Sequence, residues 1–97
     1  MGMRCRAAQT RLVVEVADTT ASYDLGYKAD MYAAARIVDY WVVLPAEREV
    51  VVCRRPTANT ESLTGMRYAE CQRHRPGATV TPLAMPDTPV PVANLLP

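Results

Sequence analysis

A glutamate and a lysine stand out because each carries a charge where the neighbouring residues predict an apolar environment. Glu15 interrupts a run of leucine and valine over residues 12–16, a pattern typical of a strand buried on both faces. An ionised carboxylate is costly there unless a cation, a metal ion or hydrogen-bond donors compensate it. Lys28 falls on the apolar stripe of the next helical segment, beside Leu25 and Ala29. Two opposite charges on two core-facing surfaces predict a functional site.

Length and composition limit the class of protein. The chain has 97 residues, enough for one small domain. Its net charge of +1 argues against a strongly basic nucleic-acid-binding protein, although basic clusters occur at residues 54–55 and 73–75. No apolar stretch has the length of a membrane span, and residues 1–9 lack the apolar region of a secretory signal. We therefore expect a cytoplasmic protein without membrane contact.

The cysteines and the histidine do not predict a metal centre. The chain has three cysteines, Cys5, Cys53 and Cys71, without a CxxC pair, and one histidine, His74. This set argues against structural zinc. We expect Cys53 and Cys71 to be small core or surface residues in a reducing compartment, and His74 to be a surface residue.

Hydrophobic periodicity predicts a strand, a helix and three further strands. A strand at residues 11–17 and a capping turn at 18–22 precede a helix from about Tyr23 to Arg36. The remaining elements are strands at 39–44 and 49–54 joined by a hairpin loop, a polar loop at 55–64, a third meander strand at 66–71 and a brief strand at 79–80. The pattern predicts an α/β fold in which one helix covers a mixed sheet.

Three regions follow from this assignment: an irregular leader at residues 1–10, an α/β core at 11–80 and a proline-rich C-terminal strap at 81–97. The first strand is apolar enough to need a neighbour on each side and a cover on each face. One helix and three strands cannot supply all of these. We therefore expect that part of the fold is missing and that an uncovered strand edge promotes self-association.

Several separate blocks of the sequence form a specific pattern. They are the run Leu12-Val13-Val14-Glu15-Val16 with its Ser/Thr loop, Tyr23-Asp24, Lys28, Tyr32-Ala33, Tyr40-Trp41-Val42-Val43, and a Pro76-Gly77 turn followed by a tail ending near Leu95-Leu96. This pattern resembles the C-terminal half of restriction endonucleases of the Uma-two family, a branch of the PD-(D/E)XK nuclease superfamily. The resemblance covers residues 10–97 and implies a restriction-endonuclease-like half-domain whose nuclease-like core is residues 11–80.

The resemblance also implies an activity and a set of site residues. It implies hydrolysis of DNA with Mg²⁺ or Mn²⁺, Glu15 being a metal-binding carboxylate and Lys28 a charge-stabilising or water-orienting residue. Asp24 would support the site or the helix start, and Val16 would offer a backbone carbonyl to the metal. Such chemistry is reasonable, because Mg²⁺ prefers oxygen ligands and a metal ion activates water and neutralises charge on the phosphate.

Two departures from the family pattern predict a degenerate site. Thr10-Arg11 replaces the family's Pro-Asp pair before the strand, and Arg11 brings positive charge where a metal site needs negative charge. Family members are also longer, and their N-terminal half supplies further strands, helices and a metal ligand. We therefore expect a truncated nuclease that is inactive alone and needs a second copy or a missing N-terminal half.

Other interpretations stay open. The chain could be a non-enzymatic remnant that dimerises or contacts DNA, or an incomplete gene product from a frameshift or a misplaced start. Glu15 could be a structural carboxylate paired with Arg11, Arg36 or Lys28. Tyr32 and Trp41 are expected in the core rather than as platforms on which bases stack.

Overall fold

Four strands form a mixed β-sheet in a computed structural model that describes residues 11–19 and 21–97. Within the sheet β1 is parallel to β2, whereas β2, β3 and β4 form an antiparallel meander. The strands, in spatial order, are β1 (Val13–Val16), β2 (Asp39–Leu44), β3 (Glu49–Ala58) and β4 (Met66–His74). The predicted α/β class with a mixed sheet is confirmed. The predicted leader at residues 1–10 lies outside the described residues.

The covering helix is divided into two segments, α1 (Ala21–Leu25) and α2 (Tyr27–Ala34), which differs from the continuous helix predicted up to Arg36. The division falls at Gly26, where an added Cβ would lie 2.7 Å from the carbonyl oxygen of Ser22. The helix ends before Arg36, which has a left-handed φ of 64°. Its N–H bonds to Ala33 O and that of Ile37 to Tyr32 O, the pattern of a Schellman cap. Arg36 is therefore an exposed capping residue and not part of the helical stripe.

The strand that carries Glu15 lies at an edge of the described sheet, so within the described residues it lacks the second neighbouring strand that its apolar sequence predicts. There, β1 pairs with β2 alone. Its side chains alternate between the two faces, and Val14 and Val16 remain 44 % and 62 % exposed. The edge position leaves the free side of β1 with backbone groups that are available for pairing.

The sheet is covered on both faces. Helices α1 and α2 cover a helix-face core in which the largest members are Tyr40, Tyr68 and Leu44. The opposite side, the strap-face core, contains Trp41, Val43, Val50, Val52, Val80 and Val92. The alternation of β2 explains the division, because successive side chains of a strand point to opposite faces. Trp41 is buried as predicted.

The C-terminal strap, residues 81–97, closes the second face. A small two-stranded sheet forms from β5 (Thr79–Val80) and β6 (Val90–Pro91), and a single 3-10 turn follows at Val92–Leu95. Val92 is fully buried in the strap-face core, and Leu95 and Leu96 pack against this core. The helices in the described part of the chain are all too short or too polar to cross a membrane.

Strands β3 and β4 are longer than the sequence predicts. The polar loop predicted at residues 55–64 is shorter, because β3 continues to Ala58. At its other end β4 continues to His74, beyond the predicted end at residue 71. Pro56 is compatible with β3 because β2 begins opposite Arg54. Beyond Arg54 the β2 side of β3 has no partner strand, and no backbone donor is needed there. Cys53 in the core and Cys71 on the surface have the environments predicted for them. Their pairing was missed: they lie opposite each other in the register and form a disulfide.

Candidate active site

The carboxylate of Glu15 lies under the helices because of its place in β1. Val13 packs against the helix-face core and Ala17 is buried in it. Glu15 is two residues from each of them, and its side chain therefore points to the same face of the sheet. Its side chain is partly buried, with 25 % of its surface exposed. The edge position explains how a carboxylate is tolerated here. The Glu15 side chain keeps some contact with solvent and accepts hydrogen bonds from Lys28 and Tyr32 of α2.

Lys28, in the first turn of α2, joins the two carboxylates of the site. Its Nζ lies 3.0 Å from Glu15 Oε1 and 3.3 Å from Asp24 Oδ1. The hydrogen bond to Glu15 raises the pKa of Lys28 above its ordinary 10.5, with burial opposing the shift and Asp24 adding to it. The lysine therefore carries a positive charge at neutral pH and cannot act there as a general base. It can orient a water molecule or stabilise negative charge.

Asp24, at the end of α1, is the most buried of the three charged residues; only 4 % of its side-chain surface is exposed. Its backbone carbonyl accepts a hydrogen bond of 2.9 Å from the hydroxyl of Tyr40, which fixes the end of α1 on the sheet. Asp24 and Lys28 are four residues apart across the break at Gly26. The structure thus brings Glu15, Asp24 and Lys28 together.

Tyr32 is a member of this cluster that the sequence analysis assigned only to the core. Its hydroxyl donates to Glu15 Oε2 at 2.8 Å, while its ring lies 4.8 Å from the ring of Tyr40. Desolvation raises the pKa of Tyr32, and the hydrogen bond to Glu15 adds to the shift, so Tyr32 keeps its proton at neutral pH. A usable signal was present: Tyr32 follows Lys28 by one helical turn and therefore lies on the same face of α2.

The other residues considered for the site lie outside the cluster. The side chain of Val16 is exposed on the face opposite Glu15, and Val16 pairs with Val43 of β2 through the backbone. Arg11 is exposed. Of the three cations considered as partners for Glu15, the described structure assigns Lys28 to this role. His74 is only partly exposed, at the end of β4.

The described residues do not by themselves fit a divalent metal ion. Mg²⁺ normally takes six oxygen ligands, with carboxylates among them. Here the ammonium group of Lys28 lies between the two carboxylates, and both oxygens of Glu15 already accept hydrogen bonds. Within residues 11–19 and 21–97, no group of three or more His, Cys, Asp or Glu side chains could hold a metal ion. Any metal would need further oxygen ligands and a rearranged Lys28.

Comparison with protein families assigns the chain to a family described as nuclease-like. Residues 6–93 match the model of the Uma2 (Uma-two) family, which is described as "Putative restriction endonuclease". The chain belongs to this family. Comparison with curated proteins gives no match, and neither does comparison with solved structures.

Proposed function

We propose that this chain is an endonuclease-like protein of the Uma2 family that carries part of a phosphodiester-hydrolysing site and does not cleave DNA alone. The observation that supports this proposal is the approach of Lys28 to Glu15 and Asp24 on adjoining elements, in a chain that matches the family over residues 6–93. DNA is the proposed substrate. The missing ligands would come from outside the described residues, in an N-terminal half or a second copy.

Each member of the cluster has a role in this proposal. Glu15 is assigned to the divalent metal, Mg²⁺ or Mn²⁺, with the backbone carbonyl of Val16 as a further ligand. Lys28 is assigned to the phosphate or to the attacking water, because a lysine that remains protonated can donate hydrogen bonds and stabilise negative charge. Asp24 holds Lys28 from its opposite side and so acts as a positioning residue. No metal-bound step is assigned, because the described residues do not complete a metal site.

A second function has its own support. Lys28 and Tyr32 already satisfy both oxygens of Glu15, and the lysine also pairs with Asp24. A cluster with internal partners of this kind can exist for stability alone. The second candidate is therefore a non-enzymatic remnant that dimerises through its free strand edge or contacts DNA elsewhere on its surface.

A thermal melt of the full chain with and without Mn²⁺ separates the two functions. We compare wild type with Glu15→Gln, which removes the charge assigned to the metal and keeps the shape of the side chain. Glu49→Gln is the matched control, since Glu49 is also a partly exposed carboxylate with cationic partners, Arg73 and Arg75. A Mn²⁺-dependent rise in Tm in wild type and Glu49→Gln, absent in Glu15→Gln, supports a surviving metal ligand.

The absence of a Mn²⁺-dependent rise in Tm would have a different meaning. No rise in any variant, with Glu15→Gln as stable as wild type or more stable, contradicts the metal role and favours the non-enzymatic function. Cleavage of plasmid DNA by the wild-type chain with Mn²⁺, lost in both Glu15→Gln and Lys28→Met, would support the nuclease assignment and contradict inactivity of the isolated chain.

A further inference from the structure

The disulfide between Cys53 and Cys71 joins two sulfur atoms in very different environments. The two residues are direct partners in the register of β3 and β4. Cys53 is fully buried in the helix-face core, among Tyr40, Tyr68 and Val51, whereas Cys71 is exposed on the edge strand. The two bonded sulfurs thus belong to one buried residue and one exposed residue. Such a difference determines which sulfur a dissolved thiol can reach.

Cys71 lies at a groove. A cavity of about 290 Å³ separates the junction of α1 and α2 from β4, and Cys71 is one of its lining residues, with Gly26 and Ala29 on the helix side and Arg67 on the strand side. Gly26 and Ala29, the residues that line the helix side near the junction, are both small. A small thiol can approach Cys71 along the groove without displacing the core around Cys53.

We propose that Cys53 and Cys71 form a reversible redox site at which low-molecular-weight thiols exchange with the sulfur of Cys71. The thiolate of a small thiol attacks Sγ of Cys71, the bond between the two protein sulfurs breaks, and its electron pair goes to Sγ of Cys53, which takes up a proton. A second small thiolate then attacks the small-molecule sulfur of the mixed disulfide, the bond to Sγ of Cys71 breaks, and Cys71 takes up a proton and leaves as a thiol. In the balance, two small thiols are oxidised to their disulfide and the protein gains two thiols.

The burial of Cys53 determines which of the two cysteines reacts with small thiols. A neutral cysteine behaves as a small apolar residue and is tolerated in a core, while an unpaired buried thiolate is costly. The reduced protein therefore has one protected thiol at Cys53 and one reactive thiol at Cys71. Oxidised glutathione can reverse the sequence by forming a mixed disulfide at Cys71, which the thiol of Cys53 then resolves.

Reduction of the disulfide is expected to affect mainly β4. This strand is the outer edge of the described sheet, and most of its residues are exposed. The disulfide closes a segment of 18 residues that contains the β3–β4 loop. Loss of a crosslink over a loop of this length lowers the folding equilibrium constant by about two hundredfold in the chain-entropy model. The oxidised site thus stabilises the edge strand β4, and reduction removes this stabilisation. This role does not depend on the proposed nuclease function.

Thiol labelling of the full chain tests this proposal. We use Cys5→Ser to remove the third cysteine, equilibrate the protein in glutathione buffers of graded potential, trap free thiols with an alkylating agent and map them by mass spectrometry. The expected result is a disulfide in the oxidising buffers, glutathione attached to Cys71 at intermediate potentials, and alkylation of Cys71 long before Cys53 in the native reduced protein. In the oxidising buffers Cys53→Ala should accumulate the mixed disulfide at Cys71, because the protein has no second thiol with which to displace the glutathione.

Two outcomes would overturn the proposal. One is that both cysteines stay free in the most oxidising buffer, and the other is that glutathione attaches to Cys53 in the native protein. If Cys53→Ala does not fold, labelling of Cys5→Ser alone decides the question. Thermal melts of the oxidised and reduced forms then test the stabilising role of the disulfide. The reduced form should melt at lower temperature, and equal Tm values would contradict this role. None of these measurements uses DNA or a metal ion.

Discussion

Asp39→Asn is expected to destabilise the protein severely, although the substitution changes one atom of a residue outside the candidate active site. Asp39 is fully buried at the start of β2 and accepts four hydrogen bonds. Its Oδ1 accepts from Trp41 Nε1 at 2.7 Å and from Arg54 Nε at 2.9 Å. Its Oδ2 accepts from the backbone N–H of Leu83 at 2.9 Å and from Arg54 Nη2 at 3.4 Å. The carboxylate therefore connects the sheet to the strap.

The magnitude follows from this geometry. An asparagine retains one acceptor oxygen and turns an NH₂ group toward two of the donors, so in either orientation one pair of hydrogen bonds is lost. Arg54 then loses its anionic partner while it still donates to Thr81 O at 2.7 Å. Breaking a buried ion pair costs about 3–5 kcal/mol. For a domain of this size, about 1 kcal/mol lowers Tm by roughly 4–8 °C, so we expect a drop of about 12 °C or more.

Thermal and urea melts followed by circular dichroism measure this loss. The emission of Trp41, the only tryptophan, reports on the same network, because its indole N–H donates to Asp39. The matched control is Glu70→Gln, the same chemical change at an exposed ion pair with Arg55, where the effect should stay within about 0.5 kcal/mol. If Asp39→Asn melts within two or three degrees of the control, this reasoning about the buried network is refuted.

Three further predictions concern the helix junction, alkaline pH and the free strand edge. Gly26→Ala should cost about 1–3 kcal/mol in urea melts, because its Cβ would lie 2.7 Å from Ser22 O; stability equal to wild type would contradict the tight packing. Burial raises the pKa of Tyr40 and Tyr68 above the ordinary 10.0. The folded chain then keeps protons that the unfolded chain has lost, so the free energy of unfolding should fall as pH rises above about 10; a profile of the same slope in Tyr40→Phe would count against this. Val16→Lys should reduce self-association measured by light scattering, since a charge on an edge strand opposes pairing; a monomeric wild type would exclude association through this edge.

The sequence predicted the order of the elements well because the hydrophobic patterns of the strands are strong. β2 and the hairpin loop after it agree with the prediction, since valine and aromatic residues are typical of strands and the intervening loop contains a proline. The break at Gly26 was harder to predict. Glycine only weakens a helix by a modest amount, and the close approach of Ser22 O is a feature of the folded backbone.

The charged core of the candidate site was predictable, and part of its surroundings was not. Glu15 and Lys28 were identified because each contradicts a local apolar pattern. The role of Tyr32 depends on a contact across 17 positions of sequence, and a tyrosine on an apolar stripe is more simply explained as a core residue. The disulfide was missed for a related reason. Its formation depends on the register of β3 against β4, which the sequence of either strand alone does not define.

The local charge of the cluster disfavours the approach of a DNA phosphate unless a cation is added. Glu15 and Asp24 contribute two negative charges and Lys28 one positive charge, so the three together carry a formal charge of −1. A phosphate group brings further negative charge and is repelled unless a cation is added. Additional oxygen ligands would allow a divalent ion to supply that cation, and the free edge of β1 is the side from which a further strand could bring them close to Glu15. The response of the melt to Mn²⁺ therefore tests the step on which any nuclease activity of this chain depends.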